Sequence, residues 1–140
     1  MRRSKTEIYF HIVWATRNRQ PLLSADLKRR ACELIRNEAA RMSCDVLALN
    51  GSTDHLHLLA RVPGRVSASE LAKNVKGASS RAINQTLPDF QGFAWQEGFA
   101  GFSVSRSHIS RVVRYIAEQE LRHQSGNLWT EWEETDGAAE

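Results

Sequence analysis

The segment 54–59, DHLHLL, constrains this chain more than any other, because it places two histidines one residue apart in an apolar run. Side chains alternate between the two faces of a β-strand, so on a strand His55 and His57 would point to the same side. Two imidazoles on one side can hold a single cation. The segment therefore predicts a strand that carries a metal site.

Four segments are predicted to form strands from their β-branched and aromatic residues or their apolar runs. They cover residues 7–16, 46–49, 55–62 and 99–105. Residues 50–54, NGSTD, separate the second segment from the third, and this turn-forming composition predicts an antiparallel hairpin. The two histidines would then open the second strand of that hairpin.

Three segments have apolar residues at helical spacing. Ser24 is predicted to cap the first helix, which runs to about residue 42. Residues 67–70, SASE, match a capping box and start the second helix, which ends before Pro88. Ser107 is predicted to cap a last helix that reaches about residue 124.

The order strand, helix, strand, strand, helix, strand predicts the fold class. It is α+β, a ferredoxin-like or RRM-like βαββαβ domain with a four-stranded antiparallel sheet and two helices on one face. The last helix would be an addition to this pattern. A chain of 140 residues can form one domain but is too short for two ordinary ones. We expect one domain over residues 1–125, followed by a tail over residues 126–140.

Charge is distributed unevenly along the chain. Residues 126–140 hold five acidic residues and no lysine or arginine, whereas residues 1–125 hold all 19 basic residues against 11 acids, a formal net charge of +8. A basic body attracts polyanions over long range, so nucleic acid is the expected partner class. The acidic tail either packs on the body or covers the basic DNA surface as a weak competitor.

Candidate phosphate contacts are basic side chains near the predicted helices. They are Lys73, Lys76, Arg81, Arg106, Arg111 and Arg122. Such charges supply most of the sequence-independent affinity for nucleic acids. Of these, Lys73, Lys76 and Arg81 are predicted to face outward from the second helix. The competing interpretation is a solvated cationic helix face without a partner.

No apolar run approaches the roughly 18 residues that a membrane span needs, and no apolar secretory stretch follows the basic N-terminus. We therefore expect a cytoplasmic protein without a membrane partner.

The last helix carries a tyrosine outside its predicted apolar stripe. That stripe is Ile109, Val112, Val113 and Ile116. Another side of the helix, at spacings of four and three, carries Arg111, Tyr115, Gln119 and Arg122. Tyr115 is therefore predicted to project from a polar, cationic face. A tyrosine used only for packing would more often lie on the apolar stripe.

Several of these assignments have structural alternatives. A His-x-His pair can be a satisfied structural pair or part of a zinc hydrolase, although the chain lacks the additional histidines of the common hydrolase motifs. Turn chemistry explains Asp54 at least as well as metal binding does. Tyr9 is expected to pack in its strand. Three other histidines are interpreted as structural or surface residues, the last being a possible DNA contact: His11, His108 and His123.

Six blocks, in order, resemble the single-tyrosine HUH transposases of the IS200/IS605 type, which include the REP-associated tyrosine transposases. In this family name, U stands for a hydrophobic residue between two metal-binding histidines. The blocks are YFHIVWAT (9–16, with Arg19 and Pro21), DHLHLL (54–59), LAKNVKGASS (71–80), WQEGF (95–99), SVS (103–105) and YIAEQ (115–119). They span most of residues 8 to 123, which makes the resemblance specific.

The resemblance implies a site and a reaction. His55 and His57 would bind Mg²⁺ or Mn²⁺, Gln119 would be the third ligand, and Tyr115 would be the nucleophile. The family cleaves and rejoins single-stranded DNA at hairpin-containing element ends through a covalent 5′-phosphotyrosine. The resemblance also implies a homodimer, in which the tyrosine helix of one subunit lies over the histidines of the other.

Two rival functions remain open from the sequence. One is a domesticated REP-type protein that binds or cleaves hairpin repeats without moving itself. The other is a non-catalytic nucleic-acid-binding module, since a ferredoxin-like sheet with exposed aromatics also describes RNA-recognition domains. Residues 98–104, GFAGFSV, resemble the aromatic motif of those domains only faintly. The phenolic oxygen of Tyr115 distinguishes the enzyme from a simple binding protein.

Overall fold

The computed structural model describes residues 4–90 and 92–126, together with Glu133 and Thr135. Three short 3-10 turns and eight longer elements follow one another in these residues. The longer elements are β1 (Ile8–Ala15), α1 (Ala25–Arg41), β2 (Asp45–Gly51), β3 (His55–Val62), α2 (Ala68–Thr86), β4 (Ala100–Ser103), α3 (Ile109–Ala117) and α4 (Gln119–Ser125). The predicted order of strands and helices is confirmed.

The four strands form one sheet in the order β2-β3-β1-β4. All of its pairings are antiparallel. This is the strand order of a ferredoxin-like α+β domain, so the predicted fold class is confirmed. Because β3 pairs with both β1 and β2, the strand that begins with the two histidines lies inside the sheet and not at its edge.

Helices cover the two faces of the sheet differently. On one face, Ile12, Trp14, Leu56 and Leu58 are buried in a cluster with apolar residues of α1 and α2. On the other face, strand residues pack against apolar residues of α3. His57 lies on this second face, because it alternates with Leu56 and Leu58 along β3. The additional helix therefore covers the histidine-bearing face.

Both predicted caps of the first two helices are confirmed. The hydroxyl of Ser24 accepts a hydrogen bond from the Leu27 amide at 3.2 Å. The hydroxyl of Ser67 accepts one from the Glu70 amide at 3.1 Å. Each cap satisfies a backbone donor that has no partner within its own helix, and so fixes where the helix begins.

The last helix differs from its prediction in two ways. Ser107 lies inside a 3-10 turn, and α3 begins only at Ile109. The helix is also interrupted at Glu118, whose φ of −95° and ψ of 16° are not helical, so α4 is a separate element. The predicted stop is confirmed at Gly126, which caps α4 with a positive φ of 75°.

The hairpin between β2 and β3 fixes the position of His55. The Ser52 amide donates to the carbonyl oxygen of His55 at 3.0 Å. A Cβ atom on Gly51 would lie 2.0 Å from the same oxygen, so only glycine fits here. The glycine in the NGSTD turn is therefore required by the close approach of two backbones.

No helix among the described residues is both long and apolar enough to cross a membrane.

Candidate functional site

The structure brings four of the sequence-predicted site residues together on the α3 face of the sheet. His55 and His57 begin β3, Tyr115 lies on α3 and Gln119 opens α4. All four are fully buried. The Tyr115 and His57 rings meet edge to face, with their centroids 5.8 Å apart. Packing of α3 on the sheet therefore places the tyrosine beside the histidines of the same chain.

Tyr115 was predicted to project from a polar, cationic face, and its hydroxyl and ring contact Glu133 and Arg122. The side chain is nevertheless fully buried. The reason is that α3 is covered on more than its apolar stripe, since the polar side chains of the site also pack against it. The Arg122 guanidinium lies 4.8 Å from the centroid of the Tyr115 ring, a cation–π contact.

Asp54 orients His55. Its Oδ1 atom lies 2.7 Å from His55 Nδ1, so the carboxylate accepts a hydrogen bond and Nε2 is directed into the site. This hydrogen bond is the main cause that lowers the pKa of Asp54. Burial alone would lower the pKa of His55, but the Asp54 and Glu133 carboxylates outweigh it and the pKa is raised. From the sequence, turn chemistry explained Asp54 at least as well as metal binding did, and its contact with His55 was not predicted.

His11 orients His57 in the same way. His11 Nε2 lies 2.9 Å from His57 Nδ1, and both rings are buried. Burial, with a contribution from His57, lowers the pKa of His11 to about 3, so this imidazole is neutral. Burial also lowers the pKa of His57. In a hydrogen bond between two neutral imidazoles, one nitrogen donates and the other accepts. His11 Nε2 can therefore accept a hydrogen bond from His57 Nδ1–H, which favours the form of His57 that carries its proton on Nδ1.

The sequence interpretation of His11 as structural or surface missed this contact. A signal existed in the strand register, because His11 pairs with Leu59, two positions from His57 on the neighbouring strand. Residues diagonal to one another across two strands share a face and are within reach of long or aromatic side chains. The register itself could not be read from the sequence.

Glu133 contributes a carboxylate from beyond α4. Its Oε1 atom lies 3.0 Å from His55 Nε2, and its Oε2 atom lies 3.2 Å from His57 Nε2. The Tyr115 hydroxyl donates a hydrogen bond to Oε2 at 2.5 Å. Burial would raise the pKa of Glu133, but its contacts with His55 and His57 hold it well below its usual range. The sequence treated Glu133 only as one charge of an acidic tail.

His123 completes the polar cluster. Its Nε2 atom lies 2.9 Å from Glu133 Oε1 and 3.1 Å from Gln119 Oε1. The His123 and His55 ring centroids are 4.9 Å apart. The sequence suggested a DNA contact for His123, whereas the structure places it inside the candidate site.

The donor set fits a divalent cation. Among the described residues, His55, His57 and Glu133 offer ligand atoms that all lie within 4.8 Å of one another. The two histidine Nε2 atoms are buried, and neither has a hydrogen bond of normal geometry within the described part of the chain. Buried nitrogen lone pairs that converge with carboxylate oxygen suit Mn²⁺, Mg²⁺ or Zn²⁺.

The predicted basic contacts do not form one surface. Lys73 and Arg81 are exposed on α2, on the opposite side of the sheet from Tyr115. Arg111 is exposed on α3, and Arg106 lies 3.6 Å from Glu7. Lys73 and Arg81 therefore lie on one side of the sheet and Arg111 on the other.

Lys76 and Arg122 are engaged within the protein. The Lys76 ammonium donates to the carbonyl oxygens of Glu97 and Gly98 at 3.0 and 2.9 Å, and burial lowers its pKa. The expectation that Lys76 is free to face outward was wrong. Arg122 lies 3.2 Å from Glu118 and has only 13% of its side chain exposed, so it also differs from a solvated phosphate contact.

This fold, with two histidines and a tyrosine gathered on one face of its sheet, has the features of the transposase class that the sequence resembles. The chain matches the family model described as Transposase IS200 like over residues 4–119. It therefore belongs to the IS200-like transposase family.

Three transposases are similar to this chain along most of their length. The ISDra2 transposase TnpA of Deinococcus radiodurans is 23% identical over 118 residues, which are 81% of this chain and 84% of that protein. The transposases for the insertion sequence IS200 of Salmonella typhimurium and Salmonella typhi are each 24% identical over 115 residues, or 79% of this chain and 75% of theirs.

Two solved structures share the fold. A transposase structure from Deinococcus radiodurans R1 superposes with a TM-score of 0.69 at 23% identity, covering 85% of this chain and 98% of that one. A REP-associated tyrosine transposase bound to a REP hairpin superposes with a TM-score of 0.66 at 17% identity, covering 88% and 73%. At this level of identity the likeness establishes the architecture.

Proposed function

We propose that this protein is a DNA transposase that cleaves and rejoins single-stranded DNA at hairpin-containing ends, with Tyr115 as its nucleophile. The observation that carries the proposal is the position of the Tyr115 hydroxyl, which lies in one buried cluster with His55 and His57. A tyrosine that served only for packing would not need its hydroxyl beside two candidate metal ligands.

His55, His57 and Gln119 are the proposed ligands of Mg²⁺ or Mn²⁺. The two Nε2 atoms converge because Asp54 and His11 hold the opposite ring nitrogens. The Gln119 amide nitrogen lies 3.5 Å from Glu133 Oε2. Rotation of the side-chain amide by 180° would exchange its nitrogen and oxygen and direct the oxygen into the site. A cation bound by these atoms would supply Lewis-acid polarisation of a phosphate oxygen.

In the proposed reaction, the Tyr115 oxygen attacks the scissile phosphorus and the bond from phosphorus to the 3′ oxygen breaks. The phenolic proton is transferred to the departing 3′ oxygen, so the products are a 5′-phosphotyrosine and a free 3′-hydroxyl. One phosphodiester replaces another, so a second 3′-hydroxyl can reverse the step without ATP. Burial of the ring between His57 and Arg122 limits its motion before attack.

We propose that one chain assembles a complete site, since Tyr115 lies beside its own His57. The homodimer implied by the resemblance is a separate proposal, and measurement of the molecular mass in solution tests it. An exchange of tyrosine helices between its subunits is the alternative to a site within one chain, and mixing of two inactive variants distinguishes the two.

We also propose hairpin-containing single-stranded DNA as the partner. The positive charge of residues 1–125 supports a nucleic-acid partner. A structural neighbour is bound to a REP hairpin, which supports the hairpin form. Lys73, Arg81, Arg106 and Arg111 are the proposed phosphate contacts, because their side chains are exposed. The unit proposed to act on DNA is the domain over residues 1–125.

The test uses labelled single-stranded DNA that covers the sequences flanking the protein's own gene, with Mg²⁺ or Mn²⁺ present. We expect a protein–DNA adduct that survives denaturation, and its loss in Tyr115→Phe and in the absence of metal. Tyr9→Phe is the matched control, because Tyr9 is the only other tyrosine in the chain. Hairpin binding without any adduct would contradict the enzyme and favour a non-catalytic descendant.

A further inference from the structure

The segment that follows α4 is attached to the candidate site at two points. Glu133 contacts both histidines and Tyr115. Thr135 is buried, and its hydroxyl accepts a hydrogen bond from Arg19 Nη1 at 3.3 Å. Arg19 in turn lies 3.4 Å from Asp54, the residue that orients His55. Both described residues of this segment are therefore linked to the same site.

We propose that Glu133 is a metal ligand of the DNA-free protein. Its carboxylate joins His55, His57 and Gln119 around the cation, and a scissile phosphate must displace it before cleavage. This inference rests on the proposed function, since it assumes the metal site that the proposed reaction needs.

The spacing of the atoms supports a ligand role. One oxygen of Glu133 faces each histidine, at 3.0 Å from His55 Nε2 and 3.2 Å from His57 Nε2. Ligands about 2.1 Å from one cation and at right angles to each other lie about 3 Å apart. Neither nitrogen forms a directional hydrogen bond within the described residues. The Glu133 carboxylate is therefore spaced from each histidine as a neighbouring ligand of one ion would be.

The position of the Tyr115 hydroxyl supports the displacement. This hydroxyl donates directly to Glu133 Oε2 at 2.5 Å. An attacking oxygen must stand about 3 to 3.5 Å from the atom that it attacks. The Glu133 carboxylate fills the space beside the Tyr115 hydroxyl that the scissile phosphorus would have to occupy. The carboxylate must therefore leave before Tyr115 can attack. Carboxylate and phosphate also present similar anionic oxygens to a cation, so they compete for the same ligand positions.

Displacement of Glu133 would also affect the contact between Arg19 and Thr135. If Thr135 moved together with Glu133, Arg19 Nη1 would lose its contact with Thr135. The Arg19 side chain is about half exposed and stands beside Asp54. It would then be available to a phosphate next to the scissile one. Such a movement would remove an anion from the site and free Arg19 from its contact with Thr135, leaving it beside Asp54.

The first measurement is Mn²⁺ affinity without DNA, by electron paramagnetic resonance or calorimetry, on the full chain. Glu133→Gln keeps the shape of the side chain but removes its charge, and we expect Mn²⁺ affinity to fall by at least about tenfold. Glu134→Gln removes the same charge from the next residue and should bind Mn²⁺ as the wild type does. His55→Ala should lose most binding.

The second measurement is the rate of adduct formation at limiting single-stranded DNA. Because the DNA no longer has to displace a charged ligand, we expect Glu133→Gln to form the adduct several times faster than the wild type at saturating Mn²⁺. Thermal unfolding of each variant checks that it is folded. If Glu133→Gln does not fold, Glu133→Ala replaces it, since a smaller side chain leaves the site open.

The outcomes separate this inference from the proposed function. Unchanged Mn²⁺ affinity in a folded Glu133→Gln variant, with His55→Ala deficient, overturns the inference and leaves the proposed function standing. Slower adduct formation at unchanged Mn²⁺ affinity also overturns it, because Glu133 would then act as a base for Tyr115. A wild type that neither binds Mn²⁺ nor forms an adduct contradicts the proposed function itself.

Discussion

His11 Nε2 and His57 Nδ1 are 2.9 Å apart, in a buried hydrogen bond between neighbouring strands of the sheet. The bond links β1 to the strand that carries both candidate ligands. Because His11 is neutral, it can accept the Nδ1 proton of His57 and leave the Nε2 lone pair directed at a cation. We therefore expect His11 to position His57, a role that its place in an apolar strand does not reveal.

We expect His11→Ala to lower Mn²⁺ affinity by about 10- to 100-fold, the usual cost of removing a group that orients a metal-binding histidine. His11→Gln retains a hydrogen-bond acceptor and should recover part of the loss. Calorimetry measures both. His108→Ala is the control, since His108 is exposed and bonds only to nearby Ser105 and Ser107 among its described contacts. Wild-type affinity in a folded His11→Ala variant would contradict the role.

Mixing two inactive variants tests whether one chain assembles the site. Tyr115→Phe lacks the nucleophile and His57→Ala lacks a ligand, so each alone should form no adduct. We expect co-expressed variants to remain inactive, because Tyr115 and His57 meet within one chain. Adduct formation by the co-expressed pair would mean that the tyrosine of one subunit serves the histidines of another.

Lys73 and Lys76 both lie on α2, but their environments predict that one substitution weakens DNA binding and the other destabilises the fold. Lys73→Ala should weaken DNA binding and reduce its salt dependence by about 0.7 in the log–log slope, the contribution of one single-strand phosphate contact. It should leave thermal stability unchanged, because Lys73 is exposed. Filter binding over a salt series measures the slope, and an unchanged slope would exclude Lys73 as a contact.

Lys76→Ala should instead destabilise the fold. Its ammonium donates to the carbonyl oxygens of Glu97 and Gly98, and we expect the free energy of unfolding to fall by about 1 to 2 kcal/mol. Denaturant titration measures this change. A Lys76→Ala variant with wild-type stability and a reduced salt slope would restore the original expectation of a phosphate contact.

The backbone of Gly51 lies so close to that of His55 that adding a single methyl group should lower the stability of the fold. Gly51→Ala would place a Cβ atom 2.0 Å from the His55 carbonyl oxygen, so we expect a loss of about 2 kcal/mol or more in the free energy of unfolding. Gly77→Ala is the matched control, because nothing lies within 4 Å of its added Cβ. In the interior of α2 that change should be stabilising by up to about 1 kcal/mol. Equal stability of the two variants would contradict the geometry.

Local patterns in the sequence were enough for the architecture. The alternation in residues 54–59 predicts the strand and the shared face of its histidines, and the hydroxyls of Ser24 and Ser67 predict two helix starts. These features depend on residues a few positions apart. The prediction for the last helix was wrong at Ser107 and at Glu118, because α3 begins without a side-chain cap and a non-helical backbone at Glu118 ends it.

The site depends on contacts between residues far apart in the chain, and here the sequence was less informative. The side of α3 that Tyr115 occupies was identified, but its burial depends on side chains from β3 and from beyond α4. His11 required the strand register. The composition of the tail suggested that it packs on the body or covers the DNA surface, but it assigned Glu133 no place in the site. The resemblance to a family supplied Gln119, whose position on a helix surface would otherwise have carried no information.

The proposed reaction depends on a covalent bond between Tyr115 and DNA. The most direct measurement digests the purified protein–DNA adduct with nuclease and trypsin and finds the modified peptide by mass spectrometry. Trypsin cleavage after Arg114 and Arg122 releases the peptide YIAEQELR, which contains Tyr115. We predict that this peptide carries the mass of a 5′-linked nucleotide. A nucleotide on the peptide that contains Tyr9, or on no tyrosine, would contradict the account.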